Sequence, residues 1–122
     1  MARRCRRTAA RTRRAVLRDR ARTTRATASI RRRGTASLTT HAIAAGLGIR
    51  DARTIANSLR RNAAKQNITG TTGRCHAGRR MRDVQRFTPD QVAQAAATYR
   101  PRKVEFVAVA AQLRQAALAV AA

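Results

Sequence analysis

Residues 38–59 (LTTHAIAAGLGIRDARTIANSL) constrain the fold of this chain most, because two short helical patterns meet there at a glycine corner. The first pattern predicts a helix capped by the threonines at 39–40, with Ile43 and Leu47 four residues apart on its apolar face. Gly48 is expected to end this helix at a tight Leu-Gly-Ile corner. A second helix that begins directly afterwards must cross the first.

The second pattern predicts a helix that has Asp51 as its N-cap and runs to about residue 65. Its apolar stripe consists of Ala52, Ile55, Ala56 and Leu59. Its other face would expose Arg50, Arg53, Asn57, Arg60, Arg61 and Asn62. These side chains suit base edges and phosphates, so we expect a helix-turn-helix whose second helix enters the DNA major groove. A plain helical hairpin packed into a core is the alternative interpretation.

The excess of basic residues indicates a polyanionic partner. The 122 residues include 28 Lys and Arg against five Asp and Glu, which gives a formal net charge of +23. A compact state with that charge would repel itself unless an anion were bound. All basic residues except Lys65 and Lys103 are arginine, which suits phosphate and guanine, although a GC-rich genome would give the same bias. Aromatic residues are too few to stack on unpaired bases. The sequence has no long apolar run, so a membrane partner is not indicated.

The sequence gives no indication of a metal, a cofactor or a catalytic site. Cys5 and Cys75 lie far apart and no Cys-x-x-Cys spacing occurs, so a zinc site is not expected. The five acids are scattered, and neither a Ser-His-Asp or Cys-His constellation with an acidic orienter nor a Gly-x-x-x-x-Gly-Lys loop is present. We therefore expect a binding protein without a cofactor, and not an enzyme.

Residues 1–34 are predicted to be an arginine-rich arm, which is disordered in free solution because it has too few apolar residues to form a core. A helix over about residues 8–22 is expected once phosphates neutralise the charge. Three interpretations stay open: a phosphate-binding arm on the duplex, an organelle transit peptide and a solubilising tail. The first assigns phosphate contacts to Arg3, Arg4, Arg6, Arg7, Arg11, Arg13, Arg14, Arg31, Arg32 and Arg33.

Glycines at 70, 73 and 78 interrupt the polar stretch that follows, which predicts a hairpin or a loose loop with Met81, Val84 and Phe87 in its return. This stretch also presents basic side chains for phosphates: Arg74, Arg79, Arg80, Arg82 and Arg86.

Two more helices are predicted after the basic stretch. Thr88 is a suitable N-cap and Pro89 a suitable first residue for a helix that ends before Pro101. Its expected buried residues are Val92, Ala95, Ala96 and Tyr99. The last helix repeats apolar residues at four-three spacing, at Phe106, Ala110, Leu113, Ala117 and Val120, with Val104, Val107, Val109, Ala111 and Leu118 beside them. It either packs on its own domain or forms a homodimer seam over residues 104–120.

The order of these motifs, from Leu-Thr-Thr through the Leu-Gly-Ile corner to Arg-Phe-Thr-Pro-Asp-Gln-Val, resembles the winged-helix DNA-binding domains of MerR-type regulators and of phage or plasmid excisionases. The resemblance covers residues 38–92. It implies base contacts from Arg50, Arg53, Thr54 and Asn57, and phosphate contacts from Arg79, Arg80, Arg82 and Arg86.

We therefore predict a mainly α-helical protein in three parts: the basic arm (1–34), a winged helix-turn-helix (35–100) and a C-terminal packing or dimerisation helix (101–122). The expected function is the binding of double-stranded DNA, in transcription regulation or as an excisionase-like architectural factor. The expected location is the nucleoid in the cytoplasm, unless the basic N-terminus directs organelle import. A structural RNA-binding protein of ribosomal type is the alternative.

Overall fold

The computed structural model describes the backbone of residues 2–121 and the side chains of residues 2–76 and 78–115. The described chain is mainly α-helical, as predicted, with five helices and one two-stranded antiparallel sheet. The elements are α1 (Ala2–Arg33), α2 (Leu38–Ala44), α3 (Ile49–Lys65), β1 (Thr71–Ala77), β2 (Arg80–Arg86), α4 (Pro89–Ala97) and α5 (Val104–Ala121). None of the described helices combines the length and apolar character needed to cross a bilayer.

The N-terminal arm is a continuous helix, so the expectation of a disordered segment is wrong. The alanine and arginine residues that fill α1 both favour helix. The sequence did not reveal its anchor: Ala26 is buried, Thr23 and Ile30 are half-buried, and this end of α1 packs against α2. Every residue from 2 to 22 is exposed, so the rest of α1 makes no comparable contact with the domain.

The corner between α2 and α3 differs from its prediction in where each helix begins and ends. Ser37 caps α2, since its Oγ accepts a hydrogen bond from the amide of Thr40 at 3.3 Å, and the threonines of the first turn do not. The chain turns at Gly46, whose φ of +105° is strained for any residue with a Cβ. Gly48 therefore starts α3 as its N-cap, and Asp51 lies in the first turn, where its charge favours the positive end of the helix dipole.

The core lies where α2, α3, α4 and α5 converge on the base of the hairpin. The predicted stripe of α3 is buried throughout and extends by one further residue, Ala63. The predicted buried residues of α4 are buried as well, except Tyr99, which lies half-buried beyond the end of the helix. Thr88 caps α4 as predicted: its Oγ1 accepts from the amide of Gln91 at 3.3 Å, and the Gln91 side chain accepts from the amide of Thr88 at 2.9 Å.

The apolar stripe of α5 packs on its own domain over the part whose side chains are described. The buried residues are Phe106, Val109, Ala110 and Leu113. Val104 and Val107 do not belong to the packed face, being 83% and 49% exposed. The side chains of Ala117, Leu118 and Val120 lie outside the described residues, and the homodimer seam stays a prediction.

The glycine-rich stretch forms a hairpin and not a loose loop. The strands pair from Thr71 opposite Arg86 to Ala77 opposite Arg80, with a two-residue turn that starts at Gly78, where φ is +68°. Of the apolar residues expected in its return, Met81 is exposed, Val84 is half-buried and only Phe87 is buried. The sheet is thus anchored at its base and extends into solvent.

Just beyond β2, Phe87 exchanges two backbone hydrogen bonds with Ala36, at 3.1 and 2.8 Å. Ala36 therefore forms a one-residue strand, and Leu38, two residues later, is buried at the start of α2. This bridge attaches the base of the hairpin to the segment that leads into α2.

Candidate nucleic-acid interface

The six predicted base-reading side chains share one exposed face of α3. They are Arg50, Arg53, Thr54, Asn57, Arg60 and Arg61, and all six are exposed. At 3.6 residues per turn they span about 120° around the helix axis, centred about 150° from the buried stripe. We call these six residues the reading face. Asn62, which was also expected to be exposed, is half-buried, and its Nδ2 donates to the carbonyl of Ala95 at 3.5 Å. Because the core holds the other side of α3, the reading face is directed outward.

The reading face is strongly basic and is not neutralised by ion pairs. The two ion pairs found among the described residues join Arg22 with Asp19 and Arg74 with Asp83, and neither involves α3. Within the face, Arg60 Nη1 donates to Asn57 Oδ1 at 2.9 Å. This contact uses one of the two lone pairs of the Asn57 carboxamide oxygen and orients the amide nitrogen.

A groove of about 580 Å³ lies between the C-terminal half of α3 and β2. Its lining includes Arg60, Ala63 and Ala64 from α3 and Asp83, Val84 and Gln85 from β2. Arg60 therefore belongs to both the reading face and the groove. The hairpin stands beside α3, so a polyanion that contacts the reading face passes close to the hairpin.

The five hairpin arginines, predicted as one phosphate-binding group, lie on different sides of the hairpin. Alternate residues of a strand share a face, so Arg80, Arg82 and Arg86 point to the same side. Gly73 leaves room for Arg86 there, since Arg86 Nε lies 2.7 Å from the point where a Cβ of Gly73 would stand.

The other two hairpin arginines are placed differently. Arg74 lies on the opposite side of the sheet, where its Nε is 3.7 Å from the carboxylate of Asp83. Arg79 occupies the turn. Three of the five predicted residues thus form one basic row on the hairpin, and Arg74 is partly neutralised.

The arginines of α1 also separate into groups once the helix is continuous. At 100° per residue, eight of them fall within about 40° on either side of one line along the helix. These eight, the arginine row, are Arg4, Arg7, Arg11, Arg14, Arg18, Arg22, Arg25 and Arg32. Of the other predicted phosphate ligands, Arg6, Arg13 and Arg31 lie on another side, and Arg3 and Arg33 flank the row.

Sequence reasoning missed Arg18, Arg22 and Arg25 because it treated the arm as disordered. The signal was present in the sequence, since the members of the arginine row from Arg4 to Arg25 are three or four residues apart and Arg32 follows seven residues later, as on one face of a helix.

His41 is a buried polar side chain to which the sequence gave no role. It is 5% exposed, and its Nε2 lies 2.8 Å from the carbonyl oxygen of Phe87. Burial lowers the pKa of His41, and the hydrogen bond to Phe87 opposes that shift only in part. The ring is therefore neutral at neutral pH, with the proton on Nε2, because a carbonyl can only accept. The bond attaches α2 to the base of the hairpin.

Comparisons of the chain with models of known protein families, with characterised proteins and with solved structures found no match. Among the described residues, no group of three His, Cys, Asp or Glu side chains is placed to hold a metal ion. The functional interpretation consequently depends on the reading face, the hairpin and the arginine row.

Proposed function

We propose that this chain binds double-stranded DNA as a winged helix-turn-helix protein. α3 is the recognition helix, which enters the major groove, and the β1–β2 hairpin is the wing, which contacts the adjacent backbone. The observation that carries this proposal is the reading face of α3, a basic surface directed outward by the buried stripe behind it. The order of elements supports it, since a one-residue strand, two crossed helices and a hairpin that returns to that strand follow one another.

The two surfaces divide the work of recognition between base edges and phosphates. Arg53 can present a two-pronged donor to guanine, and the Asn57 carboxamide can pair with adenine. Arg80, Arg82 and Arg86 bind phosphates, which fixes the position of the protein on the duplex without reading its sequence. The Ala36–Phe87 bridge and the His41 hydrogen bond attach the base of the wing to α2 and to the segment before it. Transcription regulation or an architectural role in recombination would both use this arrangement.

Selection from a random duplex pool, followed by binding to the selected site, tests the proposal. We expect Arg53→Gln and Asn57→Ala each to reduce discrimination by ~1–3 kcal/mol, or about 5- to 150-fold, because each removes one base contact. Arg102→Gln removes a charge from the α4–α5 connection and serves as the control, with preference retained.

A competition at fixed salt separates duplex DNA from the RNA alternative. Unlabelled duplex DNA should displace the labelled selected site from the protein at concentrations at which a structured RNA of the same length does not. Equal competition by the RNA, or selected sites that are bound equally well by the Arg53 and Asn57 variants, would contradict the proposal.

A further inference from the structure

The arginine row of α1 faces away from the domain. The residues with which α1 packs against α2 include Thr23, Ala26 and Ile30. At 100° per residue, that packing face is centred about 130° from the arginine row. The only acid of α1, Asp19, lies on the packing side of the helix, with its Oδ2 4.0 Å from the point where a Cβ of Gly48 would stand. Asp19 pairs with one member of the row, Arg22, at 3.6 Å. It is the only acid of α1, so the other seven arginines of the row have no acid of this helix beside them.

The arginine row and the reading face belong to different helices, each of which packs on α2. α1 and α3 both pack on α2, yet they share no extended contact surface with each other. Each turns its basic side away from its own packing face, so α2 lies between two outward basic surfaces. The arginine row and the reading face are therefore separate surfaces, and each of them can take a duplex.

The row is long enough to hold a duplex of its own. From Arg4 to Arg32 it extends about 42 Å at 1.5 Å per residue. That length corresponds to roughly 12 base pairs of B-form DNA, which carry about one negative charge per 1.7 Å. The net charge of +23 leaves many basic residues without an anion after the reading face and the wing are occupied.

We propose that the arginine row is a second duplex-binding surface, and that the chain joins two DNA segments, one on α3 and the wing and the other along α1. This inference rests on the proposed function, because the first segment is the duplex bound by the reading face. Its ligand is the phosphate backbone alone, since no packing fixes the exposed half of α1 well enough to read bases.

A bridging experiment with the full chain tests the inference. One duplex is immobilised on beads, a second labelled duplex is added, and the labelled DNA captured by the protein is measured. The row variant carries Arg11→Glu and Arg18→Glu. The matched control carries Arg20→Glu and Arg102→Glu, which change the net charge equally, because Arg20 lies about 160° around the helix from Arg18. Circular dichroism verifies that both variants keep their helices.

We expect the row variant to capture at least about tenfold less labelled DNA than the parent. In a plot of the logarithm of the binding constant against the logarithm of the salt concentration, its slope should be smaller by ~1.8, because two phosphate contacts are lost. The control should capture as much as the parent. An equal loss in both variants would show that capture follows net charge, and would overturn the inference. So would a parent protein that captures no second duplex, or one that captures structured RNA in preference to the labelled DNA.

Failure of the proposed function gives a different result from failure of this inference. If the Arg53 and Asn57 variants keep all sequence preference while the row variant loses capture, the reading face is wrong and the second surface stands. If sequence preference depends on Arg53 and Asn57 but the row variant captures as much labelled DNA as the parent, the second surface is wrong.

Discussion

The two arginine-rich helices α1 and α3 differ in what lies behind their charges. In α3, five buried residues from Ala52 to Ala63 hold the backbone against the core along most of its length. In α1, Ala26 is the one buried residue, and the helix is exposed from residue 2 to residue 22. A base edge can be read only by a side chain held within a fraction of an ångström, whereas a phosphate attracts any nearby cation. We therefore propose that similar composition gives a base-reading surface in one helix and a general anion-binding surface in the other.

A leucine-to-alanine substitution in each helix tests this difference in packing most directly. Leu59 in α3 is 0% exposed, whereas Leu17 in α1 is 63% exposed. We expect Leu59→Ala to lower the free energy of unfolding by ~3 kcal/mol, because it leaves a cavity under the reading face. Leu17→Ala should change it by less than ~0.5 kcal/mol. Urea denaturation followed by circular dichroism measures both, and a similar loss in the two variants would show that α1 is as firmly packed as α3.

Low pH should reduce the free energy of unfolding because His41 becomes protonated. The pKa of His41 is lowered by burial from its ordinary value of 6.5. Between the folded and the unfolded pKa, the unfolded chain binds more protons, so stability falls as the pH falls below about 6.5 and is unaffected by this group above it. The expected slope is up to ~1.4 kcal/mol per pH unit.

Urea denaturation between pH 7.5 and pH 5 measures this slope. His41→Gln should abolish it, since an amide can still donate to Phe87 but does not titrate. His76→Gln, a change at the exposed histidine of β1, is the control and should retain it. A parent protein whose stability is constant across this range would remove the role assigned to His41.

Local signals predicted the packed side of the molecule well. The stripe of α3 follows from apolar residues three and four apart, and the start of α4 follows from Thr88 and Pro89. Each signal lies within a few residues of what it predicts. The hairpin was also indicated, because Gly78 can adopt the positive φ that a two-residue turn needs.

The features that the sequence did not predict depend on contacts between distant segments. The order of α1 needs the packing of Ala26 on α2, and the division of the hairpin arginines needs the strand register. His41 is recognisable as an anchor only because Phe87, 46 residues away, supplies the carbonyl oxygen. Ser37 and the two threonines after it are all good caps, so only the start of the helix decides among them.

Threonine-to-alanine substitutions in α4 and α1 test the same difference in packing with smaller expected changes in stability. Thr88→Ala removes the cap of α4 and should lower the free energy of unfolding by ~1 kcal/mol. In α1, the Thr12 hydroxyl donates to the carbonyl of Thr8 at 3.0 Å in an exposed helix. There Thr12→Ala should raise helicity slightly, because alanine is the better helix former by roughly 0.5 kcal/mol. Thermal unfolding followed by circular dichroism distinguishes the two, and a loss of stability in both would contradict the contrast between α1 and the domain.

The smallest effect concerns the point where the two basic helices approach each other. Asp19 of α1 has one carboxylate oxygen 3.6 Å from Arg22, and the other faces Gly48 at the start of α3. The interaction of an acid with the dipole at a helix N-terminus contributes ~0.3–1 kcal/mol to stability. Asp19→Asn should therefore lower the free energy of unfolding by about 0.5 kcal/mol at low salt. Asp83→Asn, which removes an equally charged residue from an exposed ion pair with Arg74, should cost close to nothing.

Urea denaturation at low and at ~1 M salt measures the difference, because salt at that concentration screens charges more than about 3 Å apart. A cost that disappears at high salt identifies the Asp19 effect as electrostatic. Equal stability of the two variants at low salt would mean that Asp19 does not hold α1 against the start of α3. The packing of Ala26 on α2 would then be the contact that fixes the direction of the arginine row relative to the reading face.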